Sequence, residues 1–309
     1  MTVDEVSTIT ALRAHVAARR TSGRTIGLVP TMGALHEGHL ELVRRCAEHV
    51  DDVVVSIFVN PTQFDRADDL AAYPRDPDRD VAMLRGLGDA APAALFAPSV
   101  DEVYPIRPRV TVTVQGGVTE GLCGASRPGH FDAVATVVTK FINLVQPSLA
   151  VFGRKDRQQL QVIRQVVADL NLPVGLLGVP TVREPDGVAM SSRNRRLNTD
   201  ERERARALSR ALVAAVGEAR TAREAGAPVN VADVREAAMQ VLQAAPGVML
   251  DYLEVVDPDT MQPGESEVAP DTRLVVAVAA EVGPVRLIDN VEIGEPDDER
   301  ALLRAVAPT

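Results

Sequence analysis

The 309-residue sequence contains no tryptophan, and aromatic residues make up only 3% of it. Because so few large rings are available, the core must be built mainly from valine, leucine, isoleucine and alanine. Cysteine is also scarce, with only Cys46 and Cys123 in the chain. These two cysteines have neither the spacing of a metal site nor that of a disulfide framework, so we expect a reducing compartment.

Long apolar runs and an excess of positive charge are absent too. No run approaches the roughly 20 apolar residues that span a bilayer, and the polar, acidic N-terminal stretch MTVDEVSTIT is unlike a signal peptide. The formal net charge is −10, from 33 basic and 43 acidic residues. Such a balance argues against nucleic acid or an anionic membrane as the main partner. The composition therefore predicts a cytoplasmic globular protein whose partners are small molecules.

The first part of the chain alternates short apolar runs with helical periodicity. The strand candidates are residues 26–29, 53–59, 94–97, 110–114, 149–152 and 174–179, and helical patterns occupy 38–50, 131–145 and 156–170. Several runs are continuously apolar, which is typical of strands covered on both faces of a parallel sheet. The alternation predicts a Rossmann-like, doubly wound α/β domain over residues 1–182, with a ligand crevice beyond the carboxyl ends of its strands.

The pattern changes after residue 182. A loop is followed by a helix that we expect to begin with Thr199 as its N-cap and to end near Ala222. A second helical pattern lies near residues 231–244, and strand-like runs occupy 249–256, 273–280 and 285–288. Helices followed by strands predict a smaller α+β domain over residues 183–309.

The most informative motif, PTMGALHEGH, directly follows the first apolar run. Gly33 and Gly38 permit a close backbone approach, and His36 and His39 lie at the start of a predicted helix. A helix N-terminus attracts anions, and imidazoles donate hydrogen bonds to phosphate oxygens. A metal site is disfavoured because no cysteine or carboxylate stands nearby at ligand spacing, and unrelated surface histidines are disfavoured by the strand–glycine–helix context. The motif therefore predicts phosphate binding.

A second motif, VFGRKDRQQ, spans residues 151–159. Lys155 lies where a strand ends and a helix begins, which suits a lysine that neutralises phosphate charge. Asp156 has two interpretations, as a ligand-binding residue or as the N-cap of the helix. Gln159 lies one turn inside the helix and faces the crevice if Lys155 does; plain helix surface is the alternative.

Two further loops carry polar side chains. The segment AMSSRN places Ser191, Ser192 and Arg193 on a loop between the two predicted domains, where they form a small phosphate clamp on a segment expected to move. The segment VNPTQF places the amides of Asn60 and Gln63 after a strand, where they are suited to a small polar substrate; a β-turn is the alternative for Asn60. Arg127, in RPGHF, is a further candidate anion contact.

Six collinear segments together carry a family resemblance: PTMGALHEGH, SIFVNPTQF, RPGHF, FGRKDRQQ, VPTVREPDGVAMSSRN and RLIDN. Their order and spacing, from about residue 26 to residue 290, closely resemble the pantothenate synthetases, or pantoate–β-alanine ligases. This family belongs to the nucleotidyltransferase superfamily that shares an HxGH motif, here residues 36–39, and a mobile KMSKS-like loop, here residues 190–193.

The resemblance implies a two-step reaction. ATP, with Mg2+ on its phosphates, and pantoate first give pantoyl adenylate and pyrophosphate; β-alanine then attacks the acyl carbon and releases AMP and pantothenate. The resemblance also implies a homodimer. By the family pattern, His39 has the role of proton donor.

The resemblance assigns site residues to this sequence. The catalytic set is His36, His39, Lys155, Ser191, Ser192 and Arg193. The ATP-binding set is Met32, Gly33, His36, Gly38, His39, Gly153, Arg154, Lys155, Asp156, Val182, Met190, Ser191, Ser192 and Arg193. The pantoate and β-alanine set is Met32, Asn60, Gln63, Arg127 and Gln159. We expect Mg2+ to be held mainly by ATP, with Asp80 as a candidate carboxylate near the metal.

Two departures from the family pattern lie beside the predicted phosphate site. An acidic residue is usual at the position of Arg154, and tyrosine is frequent at that of Arg157. Two added cations beside a phosphate site predict altered affinity for ATP or pyrophosphate; the alternative is that both arginines point to solvent.

Three other functions compete with ligation of pantoate and β-alanine. A paralogue that uses another small carboxylate or amine is disfavoured by Gln63 and Gln159, and a simple nucleotidyltransferase would not need that pair. A catalytically dead nucleotide-binding protein is disfavoured because His36, His39 and Lys155 are all present.

Overall fold

The computed structural model describes residues 3–106 and 110–306. The chain divides into two compact units. The N-terminal unit comprises Met1–Gln115, Arg127–Arg154 and Val162–Val179, and the C-terminal unit comprises Gly116–Ser126, Lys155–Gln161 and Pro180–Thr309.

Strands and helices alternate along much of the chain. The strands are β1 Asp4–Val6, β2 Ile26–Thr31, β3 Asp52–Ile57, β4 Ala94–Phe96, β5 Leu149–Gly153, β6 Gly175–Val179, β7 Val229–Asn230, β8 Val248–Val256, β9 Glu267–Val268, β10 Leu274–Val282 and β11 Val285–Ile293. The α-helices are α1 Ile9–Thr21, α2 Glu37–Ala47, α3 Ala67–Ala72, α4 Pro77–Arg85, α5 Val100–Val103, α6 Leu122–Ser126, α7 His130–Val145, α8 Arg157–Asp169, α9 Thr199–Glu224, α10 Val231–Gln243 and α11 Pro296–Val306. Short 3-10 helices connect several of these elements.

The N-terminal unit is built on a six-stranded sheet in the order β1-β4-β3-β2-β5-β6, and all of its pairings are parallel. Leu28, Val54 and Val151 lie in its central strands and are almost fully buried, as expected for a sheet covered on both faces. The chain order reverses at β2, which has β3 on one side and β5 on the other. Ligands bind at such a switch point, so the carboxyl ends of β2 and β5 mark the expected crevice. The predicted fold class is confirmed.

One predicted strand is wrong. Residues 110–114 form no strand, and their backbone is satisfied by side chains of α7 instead. The Val112 N–H donates to Thr136 Oγ1 at 2.9 Å, and the Val114 N–H donates to Asp132 Oδ1 at 3.4 Å. The β-branched run predicted a strand, but the long-range partners decided its conformation.

The C-terminal unit packs helices against a small antiparallel sheet in the order β11-β10-β8. Its core is rich in alanine along α9, where Ala205, Ala211, Ala215 and Ala219 are buried. Small side chains allow the helix to lie close to the sheet. The expected N-cap of α9 is corrected by one residue. Asn198 caps the helix and forms a capping box with Glu201, which places Thr199 inside the first turn.

Candidate active site

The two histidines of the HxGH motif open helix α2, after the switch-point strand β2. His36 is the N-cap residue of α2, and its backbone N–H donates to Nδ1 of His39 at 3.3 Å. The two rings lie with their centroids 4.0 Å apart. Because Nδ1 of His39 accepts this hydrogen bond, the neutral ring must carry its proton on Nε2. His39 therefore presents an Nε2–H donor at the start of a helix.

Asp80 of α4 shapes the connection between β2 and α2. Its carboxylate accepts hydrogen bonds from the backbone N–H groups of Ala34 (2.8 Å) and Leu35 (2.7 Å), and the residue is only 1% exposed. Burial raises the pKa of Asp80, and the two backbone hydrogen bonds act in the opposite direction. Both oxygens are engaged with the loop, so the geometry makes Asp80 an anchor for the segment that precedes His36.

The same connection requires glycine at position 33. Gly33 has a φ of +78°, and Ala34 follows with a φ of +50°. A Cβ at Gly33 would lie 2.9 Å from Ile57 Cγ2 and 3.1 Å from Asp80 Oδ2. A larger residue would therefore displace the anchor carboxylate.

Gln63 lies in the turn after β3 and contacts Met32, the residue directly after β2. Its Nε2 donates to Met32 Sδ at 2.8 Å, and its Oε1 accepts from Asn60 Nδ2 at 3.2 Å. Asn60 is buried: its Nδ2 also donates to the Ala133 carbonyl, and its Oδ1 accepts from Tyr104 Oη at 3.1 Å. The expected pair of amides is thus present, but Asn60 is buried and orients the side chain of Gln63 through their hydrogen bond.

Arg127 also fastens the Gln63 turn. Its Nη2 donates to the Gln63 carbonyl at 3.0 Å and to Asp65 Oδ1 at 3.0 Å. Burial acts to raise the pKa of Asp65, but the charge and hydrogen bond of Arg127 outweigh it and hold that pKa below its usual value. Nδ1 of His130 lies 3.0 Å from the same Gln63 carbonyl. Arg127 was expected to contact an anion, and the structure shows it holding a backbone turn.

The carboxyl end of β5 presents an open backbone. A Cβ built at Gly153 would meet no described atom within 4 Å. Arg154, the next residue, donates from Nε to the Gly178 carbonyl at 3.1 Å. The open space beside the Gly153 Cα would allow a ligand to approach the backbone of this strand end closely.

Lys155, Asp156 and Gln159 lie in the C-terminal unit, at the start of α8. Nζ of Lys155 is 3.8 Å from the half-exposed carboxylate of Asp156. Gln159 is partly buried, and its side chain makes no hydrogen bond to any residue that the structure describes. The two polar ends, an ammonium and an amide, remain available to a ligand.

Arg157 is buried in an ion pair, which the sequence did not predict. Its side chain is 4% exposed, its Nη2 lies 3.1 Å from the Glu292 carboxylate, and it donates to the Pro258 carbonyl at 3.1 Å. Glu292 is 2% exposed and also pairs with Arg273 at 2.9 Å. Both interpretations of Arg157, as a cation facing phosphate and as a solvent-exposed residue, are wrong. Sequence reasoning missed the pair because its members are far apart in the chain.

The Ser-Ser-Arg segment follows a short hairpin. Its base is formed by Val182, whose carbonyl accepts from the Met190 N–H at 3.0 Å. Arg202 of α9 clamps the turn through Glu184 (2.8 Å) and Asp186 (2.6 Å). The hydrogen bonds from Arg202 lower the pKa of the Asp186 carboxyl.

Ser191 ends the hairpin and begins a 3-10 helix. Its Oγ accepts from the Arg193 N–H at 3.3 Å, and Ser192 is buried. Asn194 is held by Glu184 (2.7 Å) and by the Ala189 carbonyl (3.0 Å). The segment is therefore fastened at both ends, which orients Ser191 and Arg193 within the C-terminal unit.

Sequence reasoning also missed several residues that support the site. Tyr104 and Arg202 lie outside the motifs, and His130, although it lies in RPGHF, acts through the Gln63 carbonyl, which is 67 residues away in the chain. Among the described residues, no three His, Cys, Asp or Glu side chains cluster as a metal site. In the same part of the chain, no helix has the length and apolarity that a membrane span requires.

Comparisons with known proteins agree with the geometry. A family model described as pantoate-beta-alanine ligase matches residues 4–292. The pantothenate synthetase of Pseudomonas aeruginosa is 48% identical over 295 residues, covering 94% of this chain and 99% of that protein. The pantothenate synthetase of Moorella thermoacetica is 48% identical over 291 residues, covering 93% of this chain and 97% of that protein.

Solved structures agree as well. The Thermus thermophilus pantothenate synthetase superposes with a TM-score of 0.85 at 44% identity, over 94% of this chain and 99% of that chain. The Francisella tularensis pantoate-beta-alanine ligase, described as complexed with beta-gamma ATP and beta-alanine, gives a TM-score of 0.73 at 30% identity, over 94% and 97%. These relatives support ligation of pantoate and β-alanine and lend no support to a paralogue with another acid or amine. The chain belongs to the pantoate–β-alanine ligase family and is an enzyme that joins pantoate to β-alanine through an amide bond.

Proposed function

We propose that the ligation runs through a pantoyl adenylate and that the residues of the HxGH motif act in its formation. The pantoate carboxylate attacks the α-phosphorus of ATP, and negative charge grows on the departing pyrophosphate. The Nε2–H of His39 donates a hydrogen bond to that charge, and the N-terminus of α2 adds its partial positive charge. The single observation that supports this role is the hydrogen bond from the His36 N–H to His39 Nδ1, because it sets the tautomer.

The remaining cationic and hydroxyl groups are assigned to the phosphates. We infer that His36, Lys155 and Arg193 neutralise the triphosphate and that Ser191 and Ser192 donate hydrogen bonds to it. The nucleoside rests on backbone, for which the open strand end at Gly153 is suited. The proposed nucleoside contacts are Met32, Gly33, Gly38, Gly153, Arg154, Asp156, Val182 and Met190.

We infer that Gln63 and Gln159 bind pantoate and that Met32, which contacts Gln63, also takes part in binding it. Asn60 and Arg127 serve this site indirectly, because both hold the Gln63 turn. The second step needs no covalent enzyme intermediate, since an acyl adenylate is already activated toward the amine of β-alanine.

Mg2+ enters as part of the substrate, on the phosphates of ATP. This ion prefers to keep several waters and to bind through phosphate oxygens. Asp80 has both carboxylate oxygens engaged by backbone N–H groups, which favours a role in shaping the loop over direct ligation. The proposal that Asp80 lies near Mg2+ is therefore weaker than the proposal that it shapes the loop before His36.

We also propose the cellular compartment, the partners, the oligomeric state and the domain bounds of the enzyme. Two free, buried cysteines fit a cytoplasmic protein, and burial raises the pKa of the Cys46 thiol to about 12, which keeps it unreactive. The net charge of −10 fits small-molecule partners rather than nucleic acid or a membrane. We expect a homodimer, and we retain residues 1–182 and 183–309 as the two functional domains.

The test is the release of pyrophosphate and AMP, with each substrate omitted in turn. With ATP, Mg2+ and pantoate but no β-alanine, we expect about one equivalent of pyrophosphate per enzyme in a burst and little AMP. Adding β-alanine should give steady AMP release and pantothenate. Release of AMP that does not depend on β-alanine, or no reaction with pantoate, would contradict the proposal.

A further inference from the structure

Strand β11 carries three buried polar residues close together in its second half. Asp289, Asn290 and Glu292 are all buried, although the neighbouring Val291 and Ile293 are ordinary core residues. Buried polar groups cost free energy unless they are paired, so each should have a defined partner. These residues include the end of the RLIDN segment, none of whose residues is among the candidate site residues.

One face of β11 holds the turn that carries Lys155. Asn290 Nδ2 donates to the Lys155 carbonyl at 2.7 Å, and the Glu292 carboxylate pairs with Arg157 at 3.1 Å. Residues 290 and 292 lie on the same face of a strand, because side chains alternate with a period of two. The strand therefore binds the turn at residues 155 and 157, through one hydrogen bond and one ion pair.

The opposite face of β11 holds the hairpin that precedes Ser191. Asp289 forms a bidentate ion pair with Arg183, at 2.6 and 2.9 Å, and both side chains are buried. Arg183 also donates to the Gly187 carbonyl at 3.1 Å, across the hairpin. A bidentate guanidinium–carboxylate pair has strict geometry, so it sets the orientation of the hairpin base.

We propose that residues 289–292 of β11 are a positioning strand, which orients Lys155 on one face and the Ser191–Arg193 segment on the other. Buried ion pairs add little net stability compared with apolar residues of the same size, so their value here lies in the orientation that they impose. The inference rests on the proposed function, because it assumes that Lys155 and the Ser-Ser-Arg segment contact the phosphates. Asn290 and Asp289 are positioning residues, since they act through these groups.

The test is a double-mutant cycle on ATP binding. The Kd for ATP is measured by calorimetry, without pantoate, for the wild type, Asn290→Ala, Lys155→Ala and the double variant. We expect Asn290→Ala to weaken ATP binding about tenfold, in line with the loss of one buried hydrogen bond. In the Lys155→Ala background the same substitution should weaken binding less than about twofold, because its effect passes through Lys155.

The matched control is Val291→Ala, on the same strand. It removes buried apolar volume without touching a polar contact, so it should lower the melting temperature and leave the Kd for ATP unchanged. Asn290→Ser, which keeps a small donor, should recover part of the affinity and serves as the alternative if Asn290→Ala does not fold. Asp289→Asn should weaken ATP binding through the hairpin and remain additive with Lys155→Ala.

The outcomes distinguish the positioning role from the proposed function. Equal losses of ATP affinity in Asn290→Ala and Val291→Ala, or full additivity of Asn290→Ala with Lys155→Ala, would overturn the inference. A wild-type enzyme that binds ATP but makes no pantothenate would instead overturn the proposed function, and the ligation assay detects that independently.

Discussion

At the scale of single residues, buried charged side chains are paired with one another. Arg157 lies against Glu292 and the Pro258 carbonyl with almost no exposure, and Glu292 in turn pairs with the more exposed Arg273. Truncating the buried member of such a pair leaves an uncompensated carboxylate in a low-dielectric environment. Loss of Arg157 should therefore lower the free energy of unfolding, an effect that the sequence motifs do not predict.

The substitution Arg157→Tyr, which introduces the residue frequent at this position in the family, is expected to destabilise this protein. Glu292 would keep only Arg273, so the free energy of unfolding should fall by about 2 kcal/mol. Urea unfolding measures the change. Arg273→Ala is the matched comparison: its side chain is 46% exposed, so the loss should be smaller. The ion-pair interpretation fails if Arg157→Tyr is as stable as the wild type.

Gly153→Ala is expected to affect ligand binding and not stability. The added methyl group meets no described atom within 4 Å, so the unfolding free energy should change by less than about 0.5 kcal/mol. If the nucleoside rests on this strand end, the KM for ATP should rise about tenfold, since the methyl group occupies its space. Steady-state kinetics at saturating pantoate measure this.

Gly217→Ala is the control for Gly153→Ala. Gly217 lies on α9 and is equally unobstructed, since an added Cβ would meet no described atom within 4 Å. An alanine there should favour the helix and leave the KM for ATP unchanged. An unchanged KM in Gly153→Ala would remove Gly153 from the proposed nucleoside site.

At the scale of elements, loops are set by side chains that reach them from other helices. The β2–α2 connection depends on Asp80 of α4, and the hairpin before Ser191 depends on Arg202 of α9. Each anchor is a charged group that accepts or donates two hydrogen bonds to a turn. The orientation of the functional segments therefore depends on helices outside the motifs.

Asp80→Asn is expected to lower both stability and turnover. An asparagine has one oxygen, so the N–H of either Ala34 or Leu35 would face an amide NH2 group in a buried site. The free energy of unfolding should fall by about 1–3 kcal/mol, and kcat should fall because the segment before His36 loses its anchor. Asp78→Asn, on the exposed face of the same helix, should change neither quantity. A fully active Asp80→Asn enzyme would show that the anchor is dispensable.

Helix α1 gives the protein a pH-dependent stability. Burial, reinforced by the positive charge of Arg19, lowers the pKa of His15, although Asp4 at 3.2 Å and Asp52 act to raise it. The folded state thus binds this proton less readily than the unfolded state, so the contribution is present above the ordinary pKa of 6.5 and is lost as pH falls below it. The free energy of unfolding of the wild type should decline between about pH 7 and pH 5, and His15→Gln should show a shallower decline. Parallel pH profiles of the two proteins would contradict this assignment.

At the scale of the whole molecule, the strand order of the parallel sheet shows where a ligand crevice is expected. β2 lies between β3 and β5, so the carboxyl ends of these strands mark the switch point of the sheet. The chain also leaves aliphatic side chains in water: Ile106 is 70% and Val110 is 83% exposed. Exposed apolar side chains indicate an interaction surface where they form a contiguous patch, so the contribution of Val110 to association needs a direct test.

We expect the protein in solution to be a homodimer, as the family resemblance implies. Light scattering coupled to size exclusion should give twice the 33.0 kDa mass of the chain. Val110→Lys should weaken association if this exposed valine contributes to it, while the exposed control Val100→Lys, on α5, should not. A mass of 33.0 kDa for the wild type at assay concentrations would contradict the expectation.

Much of the fold was predictable because its signals are local. Continuous valine and leucine runs predicted β2, β3, β5 and β6, and helical periodicity predicted α2, α7 and α8. The run at 110–114 carries the same local signal, yet its N–H groups bond to side chains of α7. β1 was missed because it is a three-residue edge strand without an apolar pattern.

The family and the fold class could be predicted from the sequence alone, because motif residues and apolar periodicity lie in short segments. The three-dimensional arrangement was needed to show which polar candidates are already held by other parts of the protein. Asn60, Arg127 and Arg157 each have polar side chains suited to a substrate, but in this structure they bind carbonyls, amides and carboxylates of the protein itself. The physical reason is that a buried polar group must find a partner wherever the fold brings one close, and that partner can lie far away along the chain.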